Sequence, residues 1–486
     1  MAAGRGPGGT VTAAAPPRLV KCVVWDIDNT LLDGIYLESG ATPPGANQAM
    51  AGALADFGSR GILHAIASKN PPQAAEHAAA VTGTAFAAVE CGWGPKSGAL
   101  ARIAADLAIG TDALAFVDDD PYERAEVGAA LPEVLVLAPD EVADAAGWPE
   151  FGAAAVTDEA RRRGQMYAAR RRRQTAAQAF GGSREEFLAS AGTEAAITAA
   201  TAADLPRLHE LAARTRQFNS AGRAVAEAEL AALAAAPDTD VVTVRLRDAF
   251  GDDGIVGACV TSHDADGTWT VRLLMMSCRA MGRGVIDGLL AWVTRSAARA
   301  GAAQVAVRCV LNDRNVPLRL ALAGAGFRAA PPAGTGASGA PGPGPDGAPG
   351  PGPGDVAGPV FRRGTGAPLP ALPAWVRAPG EPAAAGPGAP PQDGTGPDPG
   401  GPADAIAAEL RQLLARITGR DELAGLPAGA PLFGDAVALD SLTGTLLLRE
   451  VQRRFGVDVA DTDLNLDALA TLGTLAAFIA GPGGGA

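Results

Sequence analysis

Between Leu19 and about Pro149, short apolar runs alternate with longer Ala-rich stretches. The runs have the length of buried strands and the stretches have the length of helices. The strand-like runs are Lys21–Asp26, Leu63–Ala67, Ala113–Val117 and Val134–Leu137. Because alternating strands and helices favour a parallel sheet covered on both faces, the pattern predicts a doubly wound α/β domain.

A second α/β pattern runs from about Thr193 to Ala329. Helical periodicity is found at Asp204–Thr215, Ala224–Ala235 and Val285–Arg299, and strand-like runs at Val241–Leu246, Ile255–Thr261, Thr268–Met276 and Gln304–Val310. The order of these elements predicts a second, independent α/β domain.

The C-terminal third changes character twice. From about Ala330 to Pro402 the chain is almost entirely Gly, Pro and Ala, so it is expected to be a disordered linker in which Pro359–Phe361 and Leu369–Val376 could dock locally. Beyond it, apolar residues recur at spacings of three and four, which predicts a small helical domain. The first of these helices contains Ile406, Leu410, Leu413, Leu414 and Ile417.

These patterns predict six segments. They are a disordered tail (1–17), an α/β domain (18–150), a helical connector (151–192), a second α/β domain (193–330), a disordered Gly/Pro/Ala linker (331–402) and a small all-α domain of four helices (403–483).

Composition narrows the possible functions. The 486 residues carry a formal net charge of −13, so nucleic acid is not an expected partner. No apolar run is long enough to span a membrane, and residues 1–17 lack the apolar core of a signal peptide. The odd number and scattered spacing of the cysteines argue against a disulfide scaffold or a zinc site and favour a reducing cytoplasm. They are Cys22, Cys91, Cys259, Cys278 and Cys309.

One basic run, Arg161–Arg173, contrasts with the acidic balance of the chain. Three interpretations are open: a solvated linker helix, which is the default, a docking face for an acidic domain, and a nucleic-acid contact, which the net charge disfavours.

Two carboxylates follow the first apolar run. Asp26 and Asp28 are two residues apart, and alternate residues of a strand share one face. At the carboxyl end of a parallel strand, one of them could attack as a nucleophile while the other handles a proton. The alternative is a pair of carboxylates that only cap a turn.

Other polar residues follow the later strands of the same domain. Ser68, Lys69 and Asn70 could hold phosphate oxygens, and Lys96 opens a helix where its ammonium could neutralise phosphate charge. Asp118 and Asp119 form a hard-oxygen cluster suited to Mg²⁺. Each alone could be a turn cap or a surface residue, but together they indicate a phosphate site.

A glycine-rich loop in the second domain lies between a strand and a helix. Its Arg279, Gly282, Arg283 and Gly284 could let backbone amides approach an anion at the helix N-terminus. Cys278 lies directly before the loop, where positive charge would lower the pKa of a nucleophilic thiol. The alternatives are a structural turn and a small core cysteine, and Cys22 and Cys91 are lesser candidates for the nucleophile.

The last domain contains a serine at the start of a predicted helix, where an enzyme that modifies it could reach it. Ser441 lies in Leu439–Leu442 at the start of a helix, beside Asp440. In isolation such a pair is most often a helix cap.

Several of these motifs resemble known families. The segments Lys21–Leu31, Ser68–Asn70, Gly92–Ser97 and Phe116–Arg124 together resemble the FkbH-like group, subfamily IIIC, of the haloacid dehalogenase (HAD) superfamily. The loop Arg279–Gly284 resembles the pyrophosphate loop of GNAT acyltransferases, and the last domain resembles an acyl carrier protein with Ser441 at its attachment position.

The resemblance implies a function. HAD enzymes mostly transfer phosphoryl groups through an aspartyl-phosphate with Mg²⁺, which Asp26, the Asp28 carbonyl and Asp119 would hold with support from Asp118. FkbH-like proteins are implied to take 1,3-bisphosphoglycerate and to place a glyceryl group on a carrier, for methoxymalonyl-type polyketide extender units. Ser441 would carry 4′-phosphopantetheine.

Implied partners are a phosphopantetheinyl transferase, acyl-carrier dehydrogenases and a polyketide synthase. Two other hypotheses remain open at this point. The protein could be a phosphatase of a small metabolite with a non-catalytic GNAT-like scaffold, or a carrier-docking scaffold without chemistry of its own. Intact nucleophile, base and metal positions argue against the second.

Overall fold

The computed structural model describes residues 19–39, 42–152, 157–312, 314–329, 358–381, 402–433, 437, 439, 441–463 and 466–481, without the side chains of residues 402 and 441. The predicted tail 1–17 lies outside the described residues. The chain divides into two compact units, one up to Arg171 and one from Arg172 onward.

The first unit contains a five-stranded, all-parallel sheet. Its strands are β1 (Cys22–Trp25), β2 (Leu63–Ser68), β3 (Ala88–Cys91), β4 (Leu114–Val117) and β5 (Leu135–Leu137). Its helices are α1 (Gln48–Ser59), α2 (Pro72–Thr82), α3 (Lys96–Leu107), α4 (Pro121–Ala130), α5 (Val142–Ala145), α6 (Asp158–Arg161) and the first part of α7 (Arg163–Ala179). The strand order β3-β2-β1-β4-β5 confirms the predicted doubly wound α/β fold.

The strand order fixes the place of the site. The chain moves outward from β1 through β2 to β3 and then returns to the other side of β1 with β4. The carboxyl ends of β1 and β4 therefore adjoin at the point where the order reverses, which is where open α/β sheets bind ligands. Both strands are buried along their whole length, as their continuous apolar sequences require.

The connector is helical, but its arginines are not uniformly solvated. Arg163 is buried and donates to the Gly61 carbonyl oxygen over 2.9 Å, and Arg170 donates to that of Leu107. In the second unit, Arg173 is buried against Asp248. The default expectation of a solvated linker helix is therefore wrong for part of this run, because these guanidinium groups satisfy buried carbonyl and carboxylate oxygens.

The second unit contains an eight-stranded mixed sheet in the order β11-β12-β10-β9-β8-β7-β6-β13. Its strands are β6 (Glu194–Ala199), β7 (Thr239–Asp248), β8 (Gly251–His263), β9 (Thr268–Met276), β10 (Gln304–Arg308), β11 (Arg328–Ala329), β12 (Val360–Gly364) and β13 (Val376–Arg377). Its helices before the last domain are α8 (Arg184–Ser190), α9 (Leu205–Arg214), α10 (Glu227–Ala235), α11 (Val285–Arg299) and α12 (Val316–Gly324).

Part of the predicted linker belongs to this sheet. β12 pairs antiparallel with both β10 and β11, and β13 pairs parallel with β6. Phe361 and Val376 are buried in the same core as β9 and α11. Residues 358–381 are therefore ordered and not disordered, and the segments Pro359–Phe361 and Leu369–Val376, for which local docking was expected, contain or adjoin the strands that complete the two sheet edges. Residues 330–357 and 382–401 lie outside the described residues.

The last domain is helical, with α13 (Pro402–Thr418), α14 (Ser441–Phe455), α15 (Val459–Thr462) and α16 (Leu472–Ala480). Leu410, Leu413 and Leu414 of α13 are buried with Leu447 and Val451 of α14. This packing follows from the spacing of three and four that the sequence shows, and it confirms the predicted all-α domain. Among the described residues, no helix has the length and apolar character needed to cross a membrane.

A buried histidine makes the first unit sensitive to acid. Trp25 donates its indole N–H to His64 Nδ1 over 3.2 Å, and burial lowers the pKa of His64 to about 4. In the unfolded chain His64 binds a proton near pH 6.5, whereas in the folded protein it does so only near pH 4. Protonation of His64 therefore favours unfolding as the pH falls from about 6.5 toward 4.

We expect His64→Gln to remove this acid sensitivity. Between pH 7 and pH 4.5 the wild type should lose about 2–3 kcal/mol more unfolding free energy than the variant, because each pKa unit corresponds to about 1.4 kcal/mol. Hydrogen-exchange protection of β1 and β2, corrected for intrinsic exchange rates, measures the difference. Identical pH profiles for the two proteins would contradict the assignment.

Candidate active site

Asp26 lies at the carboxyl end of β1 and is held there by the sheet. Its backbone amide donates to the Val117 carbonyl oxygen of β4 over 2.9 Å, which continues the parallel pairing by one residue. The residue is 7% exposed, so its carboxylate lies at the bottom of the site rather than at the surface.

The turn after β1 positions the second carboxylate. Asn29 adopts a left-handed conformation with φ of 49°, which turns the chain sharply within Ile27–Leu31. The Asp28 carboxylate accepts a hydrogen bond from the Tyr36 amide and another from the Asn70 side chain, both of 2.8 Å. Two donors on separate segments fix its orientation.

Lys96 links the two strand ends. Its Nζ contacts Asp26 Oδ1 at 2.5 Å and Asp118 Oδ2 at 2.7 Å, and the side chain is buried. Burial alone would lower the pKa of Lys96, but the two carboxylates outweigh it and raise the pKa. Burial raises the pKa of Asp26 to about 6, against the opposing effect of Lys96, and also raises the pKa of Asp118. The site therefore holds three ionisable groups in mutual contact.

A group of carboxylates at this edge fits a divalent cation. Asp26, Asp118 and Asp119 each present an oxygen within 4.8 Å of the other two. Such hard oxygen donors are those that Mg²⁺ prefers. The Asn29 side chain donates to Asp119 over 3.3 Å, and Arg124 donates to the carbonyl oxygens of Asp118 and Asp119. The donor set is thus held in place by neighbouring residues.

Asp120 follows Asp118 and Asp119 and completes an Asp triplet, but it has a different role. Asp120 accepts a hydrogen bond from the Tyr122 amide over 2.8 Å and caps α4, whose first residue is Pro121. Asp120 is therefore a helix cap, whereas the side chains of Asp118 and Asp119 belong to the candidate site.

The predicted phosphate-binding residues separate into two groups. Ser68 and Asn70 are buried and hydrogen-bonded to each other over 3.1 Å, and Asn70 also reaches Asp28. The Lys69 ammonium points elsewhere and pairs with Glu123 at 2.5 Å, with its side chain 38% exposed. Ser68 and Asn70 thus join the carboxylate pair, while the Lys69 side chain does not.

The glycine-rich loop of the second unit follows β9 and precedes α11. Gly282 and Gly284 have φ of 78° and 67°, the left-handed region that glycine favours. Cys278 is a half-buried free thiol in the one-turn helix Cys278–Ala280. The loop is at the predicted place, between strand and helix.

Arg283 does not face outward from this loop. It is buried and pairs with Asp253 and, at 2.8 Å, with Asp248, which Arg173 also contacts. Burial lowers the pKa of Arg283, and the bonds from Arg173 and Arg283 hold the pKa of Asp248 below its usual range despite burial. Since its charge is neutralised by carboxylates, Arg283 is not available to activate a thiol, contrary to the expectation from sequence.

Arg279 is also buried and donates to the Asp253 carbonyl oxygen over 3.5 Å.

Burial raises the pKa of Cys259 to about 11 and of Cys309 to about 12, and it also raises the pKa of Cys22. The pKa of Cys91 is raised by burial and by the nearby carboxylates of Glu90 and Asp26. These four thiols are therefore poor nucleophiles at neutral pH.

Ser441 is the first residue of α14, as the predicted attachment position requires. Its side chain and Asp440 lie outside the described residues. The preceding Leu439 is buried in the core of the last domain, so the start of α14 is tied to that core.

A comparison with protein families finds a match in the last domain. Residues 408–479 match the family model described as a phosphopantetheine attachment site. None of the curated proteins compared matches the chain significantly.

Similar solved structures cover separate parts of the chain. The N-terminal, phosphatase-containing part of a Bacteroides fragilis protein, complexed with Mg, is 27% identical over 25% of this chain and 36% of that one, with a TM-score of 0.22. The 3-deoxy-D-manno-octulosonate 8-phosphate phosphatase of Moraxella catarrhalis is 23% identical over 24% and 64%, with a TM-score of 0.20. An IAA acetyltransferase from Bacillus cereus is 14% identical over 28% and 79%, with a TM-score of 0.22.

The chain spans less than two thirds of the length of the two phosphatase structures. With TM-scores this low, the fold is established by strand order and by the side chains at the strand ends. On that basis the chain combines a doubly wound α/β domain with carboxylates at its strand ends, a mixed-sheet α/β domain and a C-terminal domain that matches the phosphopantetheine attachment family. We call the second of these the GNAT-like domain, after the resemblance of its glycine-rich loop.

Several site residues were not foreseen from sequence. Asn29 and the Tyr36 amide orient Asp119 and Asp28, and Arg124 holds the carbonyl oxygens of the Asp triplet. Arg124 lies in the segment Phe116–Arg124 that carries the FkbH-like resemblance, but its bonds to backbone carbonyl oxygens have no signal in the sequence. Tyr36 could not be found this way, because it acts through its backbone amide.

Replacement of the bridging lysine tests the site. In Lys96→Met, two buried carboxylates lose their counter-charge, and the ammonium expected to neutralise phosphate charge is removed. We expect Mg²⁺-dependent phosphate release from acetyl phosphate to fall by about 100-fold, which corresponds to about 3 kcal/mol of transition-state stabilisation.

Lys69→Met is the matched control, because its ammonium pairs with Glu123 and is partly exposed. We expect a change below about fivefold, as for other partly exposed ion pairs. Equal losses in the two variants, with both proteins folded by circular dichroism, would contradict the role of Lys96.

Proposed function

We propose that this protein transfers a glyceryl group from 1,3-bisphosphoglycerate to the phosphopantetheine arm of its own carrier domain and removes phosphate on the way. The observation that supports this most is the occurrence, on one chain, of a buried Asp–Lys–Asp site suited to phosphoryl chemistry and a carrier domain suited to thioesters. A phosphorylated acyl donor is the substrate class that needs both.

The phosphoryl half of the reaction falls to the first unit. Asp26 attacks the phosphorus of the phosphomonoester, forming an aspartyl-phosphate as the bond to the substrate oxygen breaks. Asp28, fixed by Asn70 and the Tyr36 amide, protonates that leaving oxygen and then accepts a proton from the water that hydrolyses the intermediate. Lys96 neutralises the charge that Asp26 and the phosphate share.

Mg²⁺ bound by Asp26, Asp119 and the Asp28 carbonyl, with Asp118 in support, would supply positive charge to the phosphate oxygens. The residues present fit this ion, since the carboxylates of Asp26, Asp118 and Asp119 lie close together and are the expected oxygen donors. The Asp28 carboxylate is oriented by Asn70 and the Tyr36 amide, which is consistent with its carbonyl oxygen serving as the Mg²⁺ ligand while the carboxylate transfers the proton.

The acyl half requires a thiol. The Cys278 thiolate attacks the carbonyl carbon of the acyl phosphate, and the carbon–oxygen bond breaks to release inorganic phosphate. The pantetheine thiol then takes the glyceryl group in a thioester exchange that regenerates Cys278. Cys278 is favoured because it is only half-buried and directly precedes the glycine-rich loop, whereas Cys22, Cys259 and Cys309 are buried. The pKa of Cys91 is raised by burial and by nearby carboxylates.

Loading requires a phosphopantetheinyl transferase to modify Ser441. Glyceryl-carrier would then be a substrate for acyl-carrier dehydrogenases and, as an extender unit of the methoxymalonyl type, for a polyketide synthase in the cytoplasm.

Intact-mass spectrometry of the phosphopantetheinylated protein tests the proposal. With 1,3-bisphosphoglycerate generated in situ, we expect a mass gain equal to one glyceryl group on Ser441 and none in Ser441→Ala. Cys278→Ala should load at least about 100-fold more slowly, and Asp26→Asn should load a group that retains its phosphate or should not load.

Phosphate release without any gain on Ser441 would overturn the proposal and favour a phosphatase of a small metabolite. Normal loading by Cys278→Ala would overturn the role of this thiol alone.

A further inference from the structure

Helix α12 is apolar on two sides. Leu318, Ala321 and Leu322 pack into the core of the GNAT-like domain, whereas Leu320 and Ala323 are buried among residues of the carrier domain. A helix that is apolar all round requires partners on both sides. The second partner of α12 is the carrier domain of the same chain.

Helix α14 supplies the facing surface. A Cβ atom at Gly444 would lie 3.1 Å from both methyl groups of Leu320, so this glycine permits close contact of the two helices. At the other end of α12, a Cβ atom at Gly324 would lie 3.4 Å from the Phe433 ring of the carrier. Two glycines, one on each side of the contact, thus allow the surfaces to approach.

Polar groups fix the register of this contact. Arg319, the one charged residue of α12, donates to the carbonyl oxygens of Ala460 and Asp463 over 2.5 and 2.9 Å. These carbonyl groups lie at the end of α15, where a helix carries partial negative charge. Arg328 pairs with Asp467 at 3.2 Å. The carrier presents acidic residues to basic residues of the GNAT-like domain.

The contact brings the start of α14 to the glycine-rich loop. A Cβ atom at Gly282 would lie 3.5 Å from Leu442, the residue that follows Ser441. Cys278 is four residues before Gly282 and directly precedes this loop. An arm attached at the first residue of α14 would therefore begin near the glycine-rich loop that Cys278 precedes.

Side chains of the same unit cover the rest of this loop. Trp375 donates its indole N–H to the Arg283 carbonyl oxygen over 2.9 Å, and a Cβ atom at Gly284 would lie 3.0 Å from its ring. The Arg184 guanidinium occupies the space beside Gly282. Protein side chains thus fill the space next to both glycines of the loop, the loop for which the GNAT resemblance implies a pyrophosphate site.

We propose that α12 and the loop Arg279–Gly284 form the seat of the chain's own carrier domain, and that the loop serves the carrier-bound arm and does not bind free coenzyme A. This proposal rests on the proposed function in one respect, namely that the carrier domain is the acyl acceptor. Arg319 is a positioning residue, since it acts by holding the carrier and not by touching the acyl group.

The test uses the full chain with a chloroacetamide-ended phosphopantetheine analogue attached to Ser441 by a phosphopantetheinyl transferase. A thiolate within reach displaces chloride and forms a thioether, which peptide mass spectrometry locates. We expect an intramolecular link to Cys278 in the wild type. A link to a different cysteine, or none, would overturn the proposal.

Gly444→Leu places a side chain against Leu320 and should slow the link to Cys278 at least about tenfold. Gly429→Leu is the matched control, because a Cβ atom at this carrier glycine meets nothing within 4 Å, and it should stay within about twofold of the wild type. Equal rates in Gly444→Leu and the wild type would overturn the proposal.

Arg319→Met provides a second variant that leaves the carrier sequence unchanged. It keeps an apolar stem and removes the bonds to Ala460 and Asp463, and it should slow the link at least about fivefold and increase hydrogen exchange in α12. No change in either readout would contradict the seat.

Calorimetry with coenzyme A completes the test. We expect no binding at millimolar concentration, and saturable binding that slows the link to Cys278 would overturn the exclusion of the free cofactor. Because the probe needs no acyl phosphate, a normal link with failed glyceryl loading would count against the proposed function and not against the seat.

Discussion

The first unit depends on the interaction of the Lys96 ammonium with two carboxylates. The ammonium lies between the carboxylates of Asp26 and Asp118, and all three side chains are removed from water. Without the positive charge, two buried carboxylates at the ends of adjacent strands would repel each other and lack solvation. Lys96 is the first residue of α3, and from this position its side chain reaches the carboxylates at the ends of both β1 and β4.

The sequence predicted this unit well for a physical reason. Buried parallel strands are nearly continuous apolar runs, and the polar residues that end them must lie along one edge of the sheet. Asp26, Lys96 and Asp118 were found because each directly follows a strand or opens a helix. The edge strand β3 was missed, since its half-exposed residues lack a continuous apolar run.

The second unit was harder to predict because several of its features depend on distant partners. β12 and β13 are short and lie in a Gly/Pro-rich stretch whose average composition indicates disorder. The arginines of the basic run appeared to be surface residues, yet Arg173 shares Asp248 with Arg283. The pairing of Arg173 and Arg283 with Asp248 has no local signal in the sequence. The second apolar face of α12 has only one, a leucine at position 320 where a polar surface residue is usual.

The sheet of the GNAT-like domain is completed by residues late in the chain. β12 covers the edge of β10, and β13 covers the edge of β6. During synthesis, residues 194–308 therefore emerge with two unpaired strand edges, which are surfaces that favour aggregation. A chain that ended at Ala329 would retain the glycine-rich loop and Cys278, but both edges would stay open and Trp375 would be missing from the start of α11. Expression of the GNAT-like domain on its own thus requires an end point beyond Arg377, a boundary that composition alone would place some fifty residues too early.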